Sequence, residues 1–503
     1  MSGRHYITGE WQSGGPSRFA KTNPAATSQV LGEYPIADAA TVDRAVQDAR
    51  AAFPAWRRMS RIRRGEILDR LARLIDRELE PLARLMALEA GKVLGEAKAE
   101  IVEARHMVEY VVGTARQPIG ELMASEVAAK DLAVIRKPRG MVAVITPWNF
   151  PLAVPLWMIA PSLLEGNVVV FKPSEETPGL GQRLVELAIE AGIPPGVLQL
   201  LHGTGEITGD ALARHPQVDV ICFTGSYAVG SQLRQIAAAS PHKTCALEMG
   251  SKSAVIVCED ADLDLAVQAV LLSAFKTSGQ RCVSAGRTIV HRAIEREFTD
   301  RLVPRAQSLQ FGDPLASTSF AGPLINQAAL EKVASYNQLA AQEGAEILLA
   351  GERLTDSARA AGNFLSPCIY RQSFAPHLRT IREEVFGPHL AVIPFASDEE
   401  AARIYNDTPF GLSLAVITDD YRRQRYYRDE CDYGMCYLNL PCIGAEVHVP
   451  FGGVKQSGNG QPSAAGLVDA VTHRVVVTTN YERGISMAQG LSSQVPSQTD
   501  HRK

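Results

Sequence analysis

MVAVITPWNFP at residues 141–151 and NVVVFKPSEETP at 167–178 are two short apolar runs, each followed at once by a polar turn. The runs VLQLLHG (197–203) and VDVICFTGS (218–226) continue the series, with helix-like stretches such as GLGQRLVELAIEAG (179–192) between them. Strands that are apolar throughout and alternate with helices indicate a parallel sheet with helices on both faces. The sequence therefore predicts an α/β fold with a doubly wound sheet, which binds ligands at the carboxyl ends of its strands.

The chain continues in both directions from this segment. From 41 to about 98 the apolar residues recur with the period of a surface helix. A second strand–helix series begins with SAVIVCED (253–260) and runs to about residue 440. KDLAVIRKPRGMV (130–142) predicts an extended arm before the first strand. Two α/β domains in tandem fit a chain of 503 residues.

Composition and charge exclude several classes of function. A formal net charge of −4 without a dense basic tract argues against a nucleic-acid partner. No apolar run reaches the roughly 18 residues of a membrane span, and the N-terminus lacks the apolar segment of a signal peptide. Eight cysteines are scattered without paired CxxC spacing. We therefore expect reduced thiols in a cytoplasmic protein, with no metal site and no membrane partner.

Three side chains have the chemistry of an acyl-thioester mechanism. Cys282 follows a small polar turn in FKTSGQRCVSAGR (275–287), Glu248 follows an apolar run, and Asn149 follows a strand. Taken singly, the cysteine is a small buried hydrophobe, the glutamate a solvated charge, and the asparagine a turn residue before Pro151. Together they supply a nucleophile, a base that activates water and an amide that binds an oxyanion. Their joint occurrence favours the catalytic interpretation.

Five motifs now make the chain resemble the aldehyde dehydrogenase superfamily over about residues 5 to 480. ITPWNFP (145–151) matches the oxyanion motif, LEMGSK (247–252) the general-base motif and SGQRC (278–282) the nucleophile motif. EEVFGP (383–388) matches the ribose-binding motif and PFGGVKQSG (450–458) the late-glycine motif. The resemblance implies a Rossmann-like cofactor domain, an α/β catalytic domain and a small β oligomerisation arm.

The resemblance also implies limits for these domains and an assembly of subunits. The limits are 1–118 and 138–248 for the NAD-binding domain, 249–454 for the catalytic domain, 119–137 and 455–490 for the oligomerisation segments, and 491–503 for a disordered tail. Relatives assemble by adding an extended arm to a neighbour's sheet, and an unpaired edge strand invites such pairing. We expect a homodimer or a homotetramer.

The mechanism that the resemblance implies begins with attack of the Cys282 thiolate on an aldehyde. The Asn149 amide and the backbone N–H of Cys282 hold the oxyanion, hydride loss gives a thioester, and Glu248 activates the water that hydrolyses it. A free thiol is mostly protonated at neutral pH, so we expect a lowered pKa at Cys282.

By the same resemblance, NAD is the expected cofactor, with NADP possible. An acidic residue at position 175 binds the adenosine ribose and disfavours a 2′-phosphate, although an acid at a helix start is favourable in any case. FTGSYAVG (223–230) is a GSxxxG-type turn that opens a helix, and helix N-termini bind phosphates. The expected cofactor residues are Thr146, Pro147, Trp148, Lys172, Glu175, Gly225, Ser226, Gly230, Gly250, Glu384 and Phe386.

For the aldehyde, Arg281 offers a guanidinium that can hold a distal carboxylate with paired hydrogen bonds. Gly444 and Ala445 lie in a loop similar to the aldehyde-anchor loops of semialdehyde dehydrogenases. These three residues favour a carboxylated semialdehyde as the substrate. If Arg281 only supports the loop, the alternative substrate is a general aliphatic or aromatic aldehyde. A CoA-acylating enzyme typically lacks the base at Glu248, and an intact set of catalytic residues argues against a catalytically silent protein.

The sequence departs from the family pattern in three places. Ser251 replaces a frequent glycine, and Ser253 replaces a frequent asparagine. Both serines lie close to Glu248 in the sequence, where they can affect the mobility of its side chain. GNGQPSAAG (458–466) lacks the Arg-Glu pair that commonly follows the late glycines.

Overall fold

The computed structural model describes residues 2–15 and 17–489, so the predicted disordered tail at 491–503 lies outside the described residues. The strands of the described residues, in chain order, are β1 (His5–Ile7), β2 (Glu10–Gln12), β3 (Arg18–Asn23), β4 (Ala26–Pro35), β5 (Gly120–Met123), β6 (Lys130–Pro138), β7 (Met141–Ile145), β8 (Val168–Lys172), β9 (Leu198–Leu200), β10 (Val220–Thr224), β11 (Thr244–Glu248), β12 (Ser253–Val257), β13 (Ala285–His291), β14 (Glu346–Leu349), β15 (Cys368–Arg371), β16 (His389–Phe395), β17 (Phe410–Gly411), β18 (Ser413–Ile417), β19 (Met435–Leu438), β20 (Pro450–Lys455), β21 (Gly460–Ala464) and β22 (Thr472–Asn480).

The helices of the same residues are α1 (Ala39–Arg58), α2 (Arg61–Arg77), α3 (Leu79–Ala90), α4 (Leu94–Thr114), α5 (Ala153–Leu164), α6 (Pro178–Glu190), α7 (Asp210–Arg214), α8 (Tyr227–Ala238), α9 (Leu263–Phe275), α10 (Glu295–Gln307), α11 (Gln327–Gln342), α12 (Arg379–Arg382), α13 (Asp398–Asn406), α14 (Tyr421–Glu430) and α15 (Leu467–Val471). No helix among them is long and apolar enough to cross a membrane.

The first sheet has the strand order β11-β10-β7-β8-β9-β1-β2. Its five strands from β11 to β9 are parallel, and the N-terminal hairpin of β1 and β2 adds to β9 in antiparallel direction. Strands β7 and β8 are buried at every residue, as the apolar runs predict for a sheet covered on both faces. The predicted α/β fold class is confirmed.

The second sheet has the order β14-β15-β16-β13-β12-β18-β19. Its strands are parallel except for β14, which pairs with β15 in antiparallel direction. The two sheets follow each other closely in the chain, because β11 ends at Glu248 and β12 begins at Ser253. The segment 249–252 therefore joins the edge strand of one sheet to the interior of the other.

A third, smaller sheet has the order β22-β6-β5 and lies apart from the core. Strands β22 and β6 pair from Thr472 opposite Pro138 to Asn480 opposite Lys130. Its outer strand β5 is exposed throughout, and Leu122 has 81% of its surface accessible. The arm that the sequence predicts is therefore present as a sheet, whereas the domain limits and the role of the arm in assembly stay predictions.

Candidate active site

The three predicted catalytic side chains lie together where two cavities meet. One cavity has a volume of about 280 Å³ and the other about 110 Å³. Asn149, Glu248 and Cys282 line both cavities, as does Thr224. We call the larger cavity the cofactor chamber and the smaller one the aldehyde chamber. A ligand in either chamber therefore reaches the same thiol.

Local structure explains how these residues converge. Glu248 is the last residue of β11, and Asn149 lies in the loop after β7, which is separated from β11 by β10 in the same parallel sheet. Cys282 follows a tight turn after α9, in which Thr277 (φ 52°), Ser278 (φ 54°) and Gly279 (φ 70°) are all left-handed. Left-handed backbone is costly for a β-branched residue, and such strain is concentrated at functional sites. The turn brings the thiol back towards the edge of the first sheet.

The loop that carries Cys282 is held by side chains on both sides. The Asn149 Nδ2 donates to the carbonyl of Gln280 at 3.1 Å. The Gln280 side chain accepts from the Ile325 N–H at 3.0 Å, which ties the loop to the start of α11. An amide nitrogen has two hydrogens, so Asn149 keeps one donor for another acceptor. That donor is available for an oxyanion beside Cys282.

The lowered pKa that the sequence predicted for Cys282 is wrong for the structure as it stands. Burial, followed by the charges of Glu248 and Glu384, raises the pKa of the Cys282 thiol to about 12. The largest contributions that lower it come from the backbone N–H groups of Val283 and Cys282 and not from a lysine or an arginine. The thiol is therefore protonated at neutral pH.

Glu248 has a similarly raised pKa. Burial raises the pKa of its carboxyl well above the ordinary value, and the side chain is 3% exposed. Neither carboxyl oxygen has a hydrogen-bond partner among the described residues. An unpaired buried carboxyl is costly for stability, and such perturbed groups cluster at functional sites. A carboxylate of this kind is also a stronger base than a solvated one.

Most of the predicted cofactor residues line the cofactor chamber. They are Pro147, Trp148, Gly225, Ser226, Gly250, Glu384 and Phe386. The remaining predicted ones, Thr146, Lys172, Glu175 and Gly230, are not part of its wall. Three of them are nonetheless grouped at adjacent strand ends, because the Thr146 N–H donates to the Lys172 carbonyl at 3.3 Å and Lys172 pairs with Glu175 at 3.0 Å.

The chamber offers groups that suit the phosphate and the aromatic ring of a nicotinamide cofactor. A Cβ at Gly225 would lie 2.4 Å from the Phe223 ring, so a larger residue would change this turn. The Ser226 Oγ accepts from the Val229 N–H at 3.4 Å and caps α8, whose first backbone N–H groups suit a phosphate. The rings of Trp148 and Phe386 meet edge to face at 5.6 Å and form an apolar wall.

The sequence reasoning missed several residues of this wall. They are Thr224, Met249, Ile325, Asn326, Ala329, Lys332 and Val385. Four of them come from the start of α11 and the loop before it, a segment with no motif of its own. Only the folded structure brings this segment to the wall that Glu248 and Met249 also line.

The aldehyde chamber contains all three predicted substrate residues, Arg281, Gly444 and Ala445. The Arg281 Nε donates to the Thr277 Oγ1 at 2.8 Å, and one Nη lies 3.5 Å from the Glu96 carboxylate. The N–H groups of Gly444 and Ala445 donate to no acceptor among the described residues. Arg281 thus lines the chamber while two of its guanidinium nitrogens already have partners.

The other residues of the aldehyde chamber were not predicted as substrate residues. They are Glu103, Phe150, Val154, Trp157, Val283 and Phe451. Glu103 is on α4, and its Oε1 is buried without a hydrogen-bond partner in the described part of the chain. Burial, and secondly the charge of Glu100, raise the pKa of Glu103 to about 7. The sequence signal that could have identified Glu103 is an acidic residue next to the apolar stripe of a helix.

The fold and the site together define an α/β oxidoreductase in which a thiol separates a nucleotide-sized chamber from a narrow substrate chamber. The comparison with known families agrees, because residues 11–477 match the aldehyde dehydrogenase family. The chain belongs to the aldehyde dehydrogenase family.

Individual relatives are similar over nearly the whole chain. Alpha-ketoglutaric semialdehyde dehydrogenase of Bacillus subtilis (strain 168) is 37% identical over 454 residues, which are 90% of this chain and 93% of that protein. Mitochondrial succinate-semialdehyde dehydrogenase of Arabidopsis thaliana is 37% identical over 456 residues, 90% of this chain and 85% of that protein.

Among solved structures, betaine aldehyde dehydrogenase of Staphylococcus aureus in complex with NAD+ superposes with a TM-score of 0.93 at 31% identity, covering 98% of this chain and 97% of that chain. An NAD-dependent aldehyde dehydrogenase of Sinorhizobium meliloti gives 0.92 at 34% identity, with 96% of each chain covered.

Proposed function

We propose that this enzyme oxidises an aldehyde to a carboxylic acid with NAD, through a thioester on Cys282. The observation that carries the proposal is the shared wall of the two chambers, in which a thiol, a carboxyl and an amide meet. Covalent catalysis divides a difficult oxidation into the formation and the hydrolysis of an acyl-enzyme.

In the first step the Cys282 thiol gives its proton to solvent, and the thiolate Sγ adds to the aldehyde carbon. The negative charge that develops on the aldehyde oxygen accepts a hydrogen bond from the free N–H of the Asn149 amide. A nicotinamide held in the cofactor chamber would accept the hydride that this carbon loses, and the thiohemiacetal would thereby become a thioester. Glu248 then removes a proton from water, and the resulting attack on the thioester releases the acid and restores the thiol.

The choice of NAD over NADP rests on Glu175. Its carboxylate is 3.0 Å from Lys172 at the end of β8 and 37% exposed. The position suits hydrogen bonding to ribose hydroxyls, and its negative charge disfavours a 2′-phosphate. The S. aureus and S. meliloti proteins, described as an NAD+ complex and as NAD-dependent, support the same choice.

For the substrate we propose a carboxylated semialdehyde. Arg281 contributes a guanidinium to the wall of the aldehyde chamber, and the unpaired N–H groups of Gly444 and Ala445 offer further donors to an anion. Two relatives at 37% identity are named as semialdehyde dehydrogenases, which supports this class.

A second candidate is an uncharged aliphatic or aromatic aldehyde. Arg281 already interacts with Thr277 and Glu96, which partly satisfies and neutralises its guanidinium. Trp157 and Phe451, whose ring centroids are 4.9 Å apart, line the same chamber and favour an apolar tail.

The deciding experiment measures NADH formation with aldehydes of equal length that carry either a distal carboxylate or a methyl group. A carboxylated semialdehyde dehydrogenase loses about 10- to 150-fold in kcat/KM for the carboxylated aldehyde in Arg281→Ala, the range of one charge-assisted hydrogen-bonded pair. Equal turnover of both aldehydes in the unmodified protein selects the second candidate. Cys282→Ala must abolish activity in either case. Stimulation by CoA would instead identify an acylating enzyme.

We also propose that the protein is a homodimer or a homotetramer that assembles through the exposed arm. Leu122 and Met123 of β5 are 81% and 52% exposed, which leaves an apolar edge strand open to pairing. Leu122→Asp is expected to lower the mass measured by light scattering, and an unchanged mass would place the interface elsewhere.

A further inference from the structure

The two serines that depart from the family pattern form one chain of hydrogen bonds. The Ser251 Oγ lies 2.6 Å from the backbone carbonyl oxygen of Cys282 and 2.8 Å from the Ser253 Oγ. Both serines are buried, with 4% and 2% of their surfaces exposed. Hydrogen bonds therefore connect the two serines to each other and to the backbone of the nucleophile.

The direction of the bonds follows from the donors and acceptors. A carbonyl oxygen can only accept, so the single hydroxyl hydrogen of Ser251 is directed at Cys282. The Ser253 hydroxyl must then donate to Ser251, whose oxygen also receives the Ser253 N–H at 3.3 Å. Donation to Ser251 polarises its hydroxyl and strengthens the bond to Cys282.

The backbone of Ser251 connects the same residue to the cofactor chamber. Its N–H donates to the Glu384 Oε1 at 2.8 Å. Glu384 lines the cofactor chamber and is the residue that we expect to bind the nicotinamide ribose. Ser251 thus contacts a proposed cofactor ligand with its N–H and the nucleophile loop with its hydroxyl.

We propose that Ser251 is a positioning residue that couples the engagement of Glu384 by the cofactor to the placement of Cys282. The proposal rests on the proposed function, because it takes Cys282 as the nucleophile and Glu384 as a cofactor ligand. A glycine at position 251 keeps the N–H that holds Glu384 but has no hydroxyl for the Cys282 carbonyl. The substitution therefore breaks the connection at a single bond.

The experiment measures alkylation of Cys282 by iodoacetamide, with and without saturating NAD, by mass spectrometry of the peptide that contains Cys282. The readout is the ratio of the two rate constants, which does not depend on turnover. We expect NAD to change the rate in the unmodified protein. In Ser251→Gly the ratio is expected to move towards one by about two- to tenfold, the contribution of one neutral hydrogen bond.

Two variants serve as controls. Ser253→Ala keeps the direct bond from Ser251 to Cys282, so its ratio should stay within about twofold of the unmodified protein. Ser162→Ala removes a similar buried bond, from the Ser162 Oγ to the Met158 carbonyl at 2.6 Å in α5, and should leave the ratio unchanged. A titration of NAD binding in Ser251→Gly establishes that the cofactor chamber is saturated in the assay.

The same NAD ratio in Ser251→Gly and in the unmodified protein would overturn the proposal, since NAD would then act on the thiol by shielding alone. Absence of any NAD effect in the unmodified protein would overturn it as well. Failure of the proposed function has a different signature, because it appears as aldehyde oxidation that survives in Cys282→Ala. The two failures are thus distinguishable.

Discussion

Gly250→Ala tests whether Glu384 holds the cofactor. Gly250 is not among the glycines with positive φ, so alanine can adopt its backbone conformation without strain. A Cβ at this position would lie 2.2 Å from the Glu384 Oε2 and 2.6 Å from its Cδ. Carbon cannot approach a carboxylate so closely, and the Glu384 side chain must move. The substitution therefore displaces one carboxylate without removing it.

The size of the effect follows from the hydrogen bonds that the displaced carboxylate loses. Hydrogen bonds to a charged group contribute about 1.5–3 kcal/mol, which corresponds to about 10- to 150-fold in a dissociation constant. We therefore expect the Kd for NAD to rise by this factor in Gly250→Ala. Thermal stability should change less, because a flexible side chain can move without opening the core.

Titration calorimetry with NAD measures the Kd, and a double-mutant cycle identifies the cause. In Glu384→Ala the carboxylate is absent and the added methyl group has nothing to displace. The double variant should then bind NAD as Glu384→Ala does alone. Gly113→Ala, where a Cβ would meet no atom within 4 Å, is the matched control and should bind normally. Normal NAD binding by Gly250→Ala, or fully additive losses in the cycle, would refute the reasoning.

Three further predictions concern the ionisable groups of the site. Glu248→Gln should release one NADH per site in a burst and then turn over about 10²- to 10⁴-fold more slowly, because the base activates the water that hydrolyses the thioester. Stopped-flow absorbance measures the burst, and a linear time course at a normal rate would contradict the prediction. Since burial raises the pKa of Cys282 from 9.0 to about 12, its alkylation without cofactor should accelerate up to pH 10 without a plateau. A plateau below pH 9 would show that the thiolate is stabilised. Since Glu103 has a pKa raised to about 7, its charge appears as pH rises through that value and opposes a substrate carboxylate. The KM for a carboxylated aldehyde should then rise about tenfold between pH 6 and 8, while Glu103→Gln and uncharged aldehydes show no such rise; a rise that persists in Glu103→Gln would assign it to another group.

The fold was predictable because its signals are local. Strands β7, β8 and β10 are short, buried apolar runs between polar turns, which is the pattern of a parallel sheet covered on both faces. The convergence of Asn149, Glu248 and Cys282 was predictable for a related reason. Two of these residues lie at the carboxyl ends of β7 and β11, which belong to one parallel sheet, and the motifs give the third.

The walls of the chambers were less predictable, because their residues come from segments that are distant in sequence. In the aldehyde chamber Glu103 is on α4 and Trp157 on α5, where no motif marks them, and Phe451 on β20 belongs to a motif that does not indicate contact with the aldehyde. Their grouping depends on how the helices pack on the first sheet and on the contact between Phe451 of β20 and Trp157 of α5. Substrate preference is consequently the part of the function about which the sequence says least.

The pKa values of the site were unpredictable for the same reason, and they have a consequence for the order of the proposed chemistry. Burial acts in opposite ways on the two steps, because it opposes ionisation of Cys282 and makes Glu248 a stronger base. A neutral thiol is a poor nucleophile and resists chance modification, whereas a carboxylate with a raised pKa accepts a proton readily at neutral pH. Burial of the free enzyme's site therefore opposes the first attack. The first attack must gain its driving force from interactions that form with bound ligands, and the hydrogen bonds that link Glu384, Ser251 and Cys282 provide one route for it.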